Sequence, residues 1–224
     1  GKAKKPVYLW VHDGKAELRD ATHLWGKVIG EVQEEIRKEL EDEKIRIASI
    51  GPGGENLVKY ACIISDLYSA AGRCGMGAVM GSKKLKAVAL RGTRNIKIAD
   101  RRTFRDLAKK ASKETMEDWG EDLYKYGTDG GLDDLHGSGR LPTMAFRKCT
   151  FAGAEKITGE TMADTILVKR VTCLACPDSH YRVVGAKEPY AVDPAYGGPE
   201  YESCASLGSL CMNDNLVAIA KANE

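Results

Sequence analysis

A glycine-rich stretch, SAAGRCGMGAVMGSK at residues 69–83, constrains the fold of this chain more than any other feature. Its glycines fall at positions 72, 75, 77 and 81, among alanines. Because glycine has no Cβ, such a run either brings the backbone close to a ligand, with free N–H groups that can bind an anion, or forms a tight turn into a closely packed helix. The spacing matches neither the dinucleotide fingerprint nor the P-loop, so it does not indicate a nucleotide site. The packed-helix interpretation is slightly favoured by spacing alone, and both stay open.

The hydrophobic pattern predicts a mixed fold, with a first unit of the α+β or the α/β class. In the first part of the chain it predicts a hairpin over residues 6–19 with its turn at Asp13-Gly14, a helix over 28–40, and strands over 45–50 and 84–92. Residues 57–64 form an apolar segment whose type the pattern does not decide.

The composition changes near residue 98, where the sequence becomes helical in pattern and rich in loops. The clearest helix of this second part is predicted over residues 103–117. We therefore expect two domains, a β-rich unit over residues 1–98 and a mainly helical unit over residues 99–224.

The charge balance excludes some classes of partner. The chain has 34 basic and 32 acidic residues, which argues against a nucleic-acid or membrane surface. No apolar run approaches the roughly 18–20 residues of a membrane span, and no secretory signal is visible, so a cytoplasmic location is expected. The chain begins with Gly1 and stops within a helical pattern, which suggests an internal piece of a longer protein.

The seven cysteines are odd in number and contain a single close pair, so a disulfide framework is not expected. That pair is Cys173-x-x-Cys176, followed by Pro177 and, four residues after the second cysteine, by His180. Two thiolates at this spacing suit an iron–sulfur cluster, a zinc ion or a redox pair. Cys204 and Cys211 are too far apart to form a second zinc-ribbon pair, and the three alternatives stay open.

Five segments, taken in order, resemble the aldehyde ferredoxin oxidoreductase family over nearly the whole chain. They read IGPGGENLVKYACI, SAAGRCGMGAVMGSKKLKAVALRG, LVKRVTCLACP, GPEYES and SLGSLCMNDN. The resemblance implies an enzyme that oxidises aldehydes to carboxylates at a tungsten held by two pyranopterins and passes electrons through a [4Fe–4S] cluster to ferredoxin. It implies as further partners the remainder of the enzyme chain, and it is compatible with a homo-oligomer.

The resemblance also implies an architecture. Residues 1–98 would be the later part of a β-rich first domain that supports the pterin, and residues 99–224 the start of a helical domain. The loop that meets the pterin would contain Ala70, Ala71, Gly72, Arg73 and Gly75. The Ala70 backbone would lie near the pterin phosphate and a magnesium ion, and Ser69 stands where family members have arginine.

The remaining site residues follow from the same resemblance. Cys173 and Cys176 match the first two cluster ligands, whereas His180 occupies the position of the third cysteine. We expect His180 to turn away from the two thiols, and Cys204 or Cys211 to supply a ligand if it does not. Glu202 matches a carboxylate near the tungsten and would act as an acid–base group.

Two other functions remain as alternatives. The chain would be either a divergent family member that acts as a non-catalytic binding or scaffold subunit, or a small zinc-binding protein. The residues Ser69 and His180 favour the first of these, because both depart from the family pattern.

Overall fold

The structure is a computed structural model that describes residues 1–224 apart from the side chain of Trp119. The contacts among its residues divide the chain into two compact units, residues 1–97 and 98–224. None of the helices in the described part of the chain combines the length and the hydropathy that a membrane span requires.

A mixed six-stranded sheet forms the first unit, with strand order β2-β1-β6-β3-β4-β5. Strands β1 and β6 are parallel, and the other neighbours are antiparallel. The elements are β1 (Val7–His12), β2 (Lys15–Asp20), α1 (Ile29–Leu40), β3 (Arg46–Ser49), α2 (Pro52–Glu55), β4 (Ile63–Ser65), β5 (Ser69–Ala71), α3 (Met76–Ser82) and β6 (Leu85–Arg91). The predicted hairpin, helix and strands of this unit are therefore confirmed.

The first core lies between α1 and the sheet. Val32 and Ile36 of α1 are fully buried, as are Tyr8 of β1 and Ala87 of β6. The apolar positions of α1 recur at helical spacing, so burying them against the sheet fixes the face that the helix presents.

A buried ion pair joins the α1 entry loop to the sheet. Lys86 is fully buried, pairs with Glu55 at the end of α2, and donates to the Lys27 carbonyl at 2.9 Å. The Glu55 carboxylate also accepts from the Gly26 backbone N–H at 2.8 Å. Burial lowers the pKa of Lys86, and the Glu55 carboxylate opposes that shift.

Short helices and one two-stranded sheet make up the second unit. Its elements are α4 (Arg101–Thr115), α5 (Glu121–Tyr126), α6 (Leu132–Gly137), α7 (Gly159–Thr165), β7 (Leu167–Val171), β8 (Tyr181–Val184), α8 (Tyr201–Ser203) and α9 (Leu216–Asn223). The core includes Leu132, Ile157, Met162 and Ile219. The helix predicted over residues 103–117 is confirmed as α4, which begins two residues earlier because the Asp100 side chain caps its first amides.

Candidate functional site

The glycine-rich stretch begins in β5, at the edge of the six-stranded sheet. Residues 70–74 are exposed, and Gly75 and Gly77 are buried. Strand β5 pairs with β4 on one side only, so its other side has no strand partner within the described chain. The segment therefore presents backbone to the outside before it turns into α3.

Backbone amides of this segment are available to a ligand. Within the described residues, the N–H groups of residues 72–76 have no hydrogen-bond partner, whereas the Gly77 N–H donates to the Ala61 carbonyl at 2.9 Å. The Gly77 amide is therefore not available to a ligand, because the first turn of α3 packs on the preceding loop.

The glycines of the stretch have two different roles. A Cβ at Gly75 would lie 2.0 Å from the Lys59 carbonyl oxygen, and one at Gly81 would lie 2.0 Å from the Gly54 carbonyl oxygen. A Cβ at Gly77 would lie 2.3 Å from the Cys62 carbonyl oxygen. These three glycines allow close backbone packing, whereas a Cβ at Gly72 would meet nothing within 4 Å. Both interpretations of the stretch thus apply, to different glycines.

The exposed part of the segment fits a polar cofactor edge. The amides of residues 72–74 are exposed and unbonded within the described chain, and the exposed Arg73 lies among them. N–H donors with no competing protein acceptor bind phosphate and carbonyl oxygens well. A pterin, which carries both kinds of oxygen, therefore fits this surface.

The Cys173–Cys176 pair lies in the loop between β7 and β8. The Cys176 N–H donates to the Cys173 carbonyl at 3.2 Å, and the Thr172 hydroxyl donates to the Cys176 carbonyl at 2.6 Å. Ala175 has a positive φ of 57°, which turns the chain sharply between the two cysteines. The loop is therefore tight and positions both side chains from one short segment.

Three potential metal ligands converge in this loop. The Cys176 sulfur, a carboxylate oxygen of Asp178 and a ring nitrogen of His180 all lie within 4.8 Å of one another. The expectation that His180 turns away is therefore wrong. Its orientation has two causes: its ring packs against Tyr181 with centroids 4.8 Å apart, and its carbonyl is held by Arg182 at 2.8 Å.

Neither Cys204 nor Cys211 belongs to this group of donors. Cys204 is buried in the core of the second unit, and the Cys211 thiol donates to the Ser206 carbonyl at 3.2 Å. The group instead contains Asp178, which the sequence analysis did not predict as a potential ligand. The alternation Cys176-x-Asp178-x-His180 was the available signal, because it places three ligand types at equal intervals in one loop.

The Asp178 carboxylate lies close enough to Cys176 to influence its thiol. The Asp178 backbone N–H lowers the pKa of the Cys176 thiol, but burial, the Asp178 carboxylate and the Cys173 thiol together raise it. Cys173 is thus close enough to Cys176 to act on it electrostatically.

A four-iron cluster does not fit this set of donors. Its protein ligands are normally four thiolates on four different irons. The loop offers two thiols, a carboxylate and an imidazole, and three of those donors already lie within 4.8 Å of one another. Donor atoms on different irons are separated by the width of the cluster, whereas the donor atoms of Cys176, Asp178 and His180 lie close together.

The predicted acid–base residue Glu202 lies on α8. Its side chain is exposed, and it forms no hydrogen bond or ion pair with the rest of the described chain. The start of α8 is held by Thr128, whose hydroxyl accepts from the Tyr201 N–H at 3.1 Å and donates to Glu200 at 3.4 Å. Glu202 therefore has a carboxylate without a hydrogen-bond or ion-pair partner in the described chain, on a helix whose start is held by Thr128.

A buried acidic residue near α8 was not predicted. Asp129 is fully buried. Neither carboxylate oxygen has a hydrogen bond of ordinary geometry within the described residues, although the Cys204 thiol is near enough to interact. Burial raises the pKa of Asp129 to about 7, the Cys204 thiol opposes this, and the Glu160 charge adds to it. The sequence carries no local signal for this environment.

Comparison with known proteins identifies the family. Residues 1–92 match the model of the aldehyde ferredoxin oxidoreductase N-terminal domain, and residues 105–224 match that of domains 2 and 3 of the same enzymes. The chain belongs to the aldehyde ferredoxin oxidoreductase family.

Individual relatives agree with this membership. The chain is 41% identical to the tungsten-containing aldehyde ferredoxin oxidoreductase of Thermococcus kodakarensis and 42% identical to that of Pyrococcus furiosus. Each alignment covers 100% of this chain and 37% of the relative, so the chain spans little more than a third of their length. A WOR-like subunit of an aliphatic sulfonate oxidoreductase from Pyrococcus furiosus is 41% identical over 54% of the chain.

Structural comparison gives the same fold. The active-site complex BamBC of benzoyl coenzyme A reductase, solved with 1,5-dienoyl-CoA, matches 99% of this chain with a TM-score of 0.77 and 26% identity. The match covers 35% of that protein. The predicted α+β fold is confirmed, and neither the scaffold interpretation nor the small zinc protein is favoured by these relatives.

Proposed function

We propose that this chain is the pterin-supporting and adjoining helical part of a tungsten enzyme that oxidises aldehydes to carboxylates, with ferredoxin as the electron acceptor. The observation that carries the proposal is the row of exposed, unbonded amides at residues 72–74, beside Arg73, in a member of this family. The proposed domain division is residues 1–98 and 99–224.

Residues 70–75 would hold the cofactor. Ala70 and Ala71 offer backbone along the open edge of β5, Gly72 leaves room for close approach, and Arg73 supplies a positive charge. The Gly75 amide would contribute, while its lack of a side chain serves packing. A magnesium ion would accompany the phosphate end near Ala70. When bound, the tungsten centre supplies the two-electron redox change.

The reaction also requires a proton acceptor. Aldehyde oxidation follows RCHO + H2O → RCOOH + 2H⁺ + 2e⁻, so one group must take a proton from water or from the hydrated aldehyde. Glu202 is suited to this because its carboxylate is exposed and unpaired within the described chain. A positioned general base of this kind contributes about 10²–10⁴-fold to the rate.

The test uses the complete enzyme that contains this chain. Glu202→Gln should lower kcat for aldehyde-dependent reduction of benzyl viologen by about 10²–10⁴-fold, because the amide cannot accept a proton. Tungsten content and unfolding temperature should stay unchanged, because the side chain makes no hydrogen bond or ion pair with the described residues of this chain.

Glu155→Gln provides the matched control, since Glu155 is also an exposed carboxylate of the second unit. It should retain full activity. An unchanged kcat in Glu202→Gln would remove Glu202 from the mechanism, and a complete enzyme that contains no tungsten would refute the proposed function itself.

A further inference from the structure

We propose that the loop between β7 and β8 binds a single zinc ion through Cys176, Asp178 and His180, with Cys173 as the fourth ligand. This site goes beyond the proposed aldehyde chemistry and does not depend on it. It differs from the iron–sulfur cluster that the family resemblance implies in both the number of metal atoms and the ligands.

The first argument is the separation of the donor atoms. Zinc bonds to sulfur, nitrogen and oxygen are about 2.0–2.3 Å long, so two ligands of one tetrahedral ion lie roughly 3.3–3.8 Å apart. The Cys176 sulfur, an Asp178 oxygen and a His180 nitrogen lie within 4.8 Å of one another in the absence of any ion. The Cys176 sulfur and the Asp178 Oδ2 atom are 3.7 Å apart, which is already the spacing of two ligands of one tetrahedral zinc ion.

The second argument is an unsatisfied oxygen. The Asp178 Oδ1 atom is buried and has no hydrogen-bond partner within the described residues, while Oδ2 accepts from the Cys176 thiol at 3.7 Å. Buried carboxylate oxygens are normally paired, because burial without a partner costs free energy. Gly120 packs so closely over this carboxylate that a Cβ there would lie 3.2 Å from Oδ1.

The third argument is that Arg182 fixes the loop before any metal binds. Its guanidinium donates to the carbonyls of Ser179 at 3.1 Å and of His180 at 2.8 Å. The same group donates to the carbonyls of Leu123, Tyr124 and Lys125 at the end of α5. Arg182 is buried, so these bonds hold the ligand-bearing segment in one conformation.

The chemistry of the donors selects the metal. Two thiolates, an imidazole and a carboxylate are all ligands that zinc accepts in tetrahedral sites. Magnesium and calcium prefer sites made of oxygen atoms, and a four-iron cluster prefers four thiolates. Zinc is therefore the ion that this set fits best.

The experiment measures metal binding by the 224-residue chain. Anaerobically purified protein should contain about one zinc and no acid-labile sulfide per chain. Replacement of zinc by cobalt should give the sulfur-to-cobalt absorption of the near ultraviolet and the strong visible bands of a tetrahedral site. Asp178→Ala should weaken cobalt binding at least tenfold and change the visible bands, because one ligand is lost.

Matched variants separate coordination from folding. Ser179→Ala lies between two of the ligands but removes none, so it should bind cobalt like the parent chain. Cys211→Ser should do the same, whereas Cys173→Ser should lose part of the sulfur-to-cobalt absorption. Far-ultraviolet circular dichroism of Asp178→Asn, which keeps the shape of the side chain, checks that the fold is intact.

Three results would overturn the inference. They are four irons with sulfide and absorbance near 400 nm, cobalt binding that is unaffected by both Asp178 variants, and a folded chain that takes up neither zinc nor cobalt. Each readout is independent of aldehyde turnover, so it leaves the proposed function to its own test.

Discussion

At the scale of single residues, the burial of Asp129 makes the stability of the fold depend on pH. Its carboxylate is fully buried and its pKa is raised to about 7, chiefly by burial. The unfolded chain releases this proton near pH 4, whereas the folded chain retains it until about pH 7. Folding is therefore favoured below pH 4, and that contribution is lost as the pH rises to about 7.

Replacing Asp129 by asparagine should remove this dependence on pH. The free energy of unfolding of Asp129→Asn, minus that of the parent, should rise with pH by roughly 1.4 kcal/mol for each unit between about pH 5 and pH 7, then level off. Urea unfolding at four pH values measures it. Asp133→Asn, a change of an exposed carboxylate on the next helix, should show no such slope. A difference that is the same at every pH would refute the assignment.

At the scale of elements, α2 and α3 meet through glycine. The Cα of Gly81 faces the Gly54 carbonyl oxygen, with no room for a methyl group between the two helices. Gly81→Ala should lower the free energy of unfolding by about 1–3 kcal/mol, the usual cost of overpacking. Gly72→Ala should change it by less than about 0.5 kcal/mol, because that position is open. Equal losses in urea unfolding would contradict the distinction between packing and ligand-facing glycines.

Elements with strong local signals were predictable from the sequence. The β1–β2 hairpin followed from Asp13-Gly14, which indeed takes positive φ at both residues. The segment 57–64 was not assigned, because β4 is a strand of three residues whose existence depends on pairing with β3 and β5. Pairing between distant segments leaves no periodic pattern in so short a strand.

At the scale of the whole molecule, the candidate residues are distributed over two units. The exposed amides of residues 72–74 belong to the first, and Glu202 and the metal-binding loop belong to the second. The chain also spans 37% of its relatives' length, so a pterin would contact only a part of its normal surroundings. Transition-state stabilisation depends on preorganised groups around the reacting atoms.

We therefore expect the isolated 224-residue chain to show no aldehyde-dependent reduction of benzyl viologen, even when it is supplied with tungsten and pterin. The complete enzyme, assayed in parallel, is the positive control. Measurable turnover by the isolated chain would mean that these residues alone form a working pocket.

Only part of the candidate site was predictable, because some of its residues are positioned by contacts with residues far away in the sequence. Cys173 and Cys176 were recognisable because their spacing is local. The orientation of His180 was not, because it depends on Arg182, which is anchored to carbonyls 57–59 residues away. Asp178 was overlooked because an aspartate in a loop ordinarily points into water, whereas here Gly120 packs against its carboxylate.

The buried thiol of Cys204 can be used to measure how often the core of the second unit opens. Burial and the neighbouring Asp129 raise the pKa of this thiol, so an alkylating reagent meets no thiolate there while the core is closed. Cys74, Cys149 and Cys211 are exposed, so the reagent modifies them first. The rate at which Cys204 is alkylated therefore reports how often the second core opens, and mass spectrometry of the peptide that contains Cys204 measures that rate.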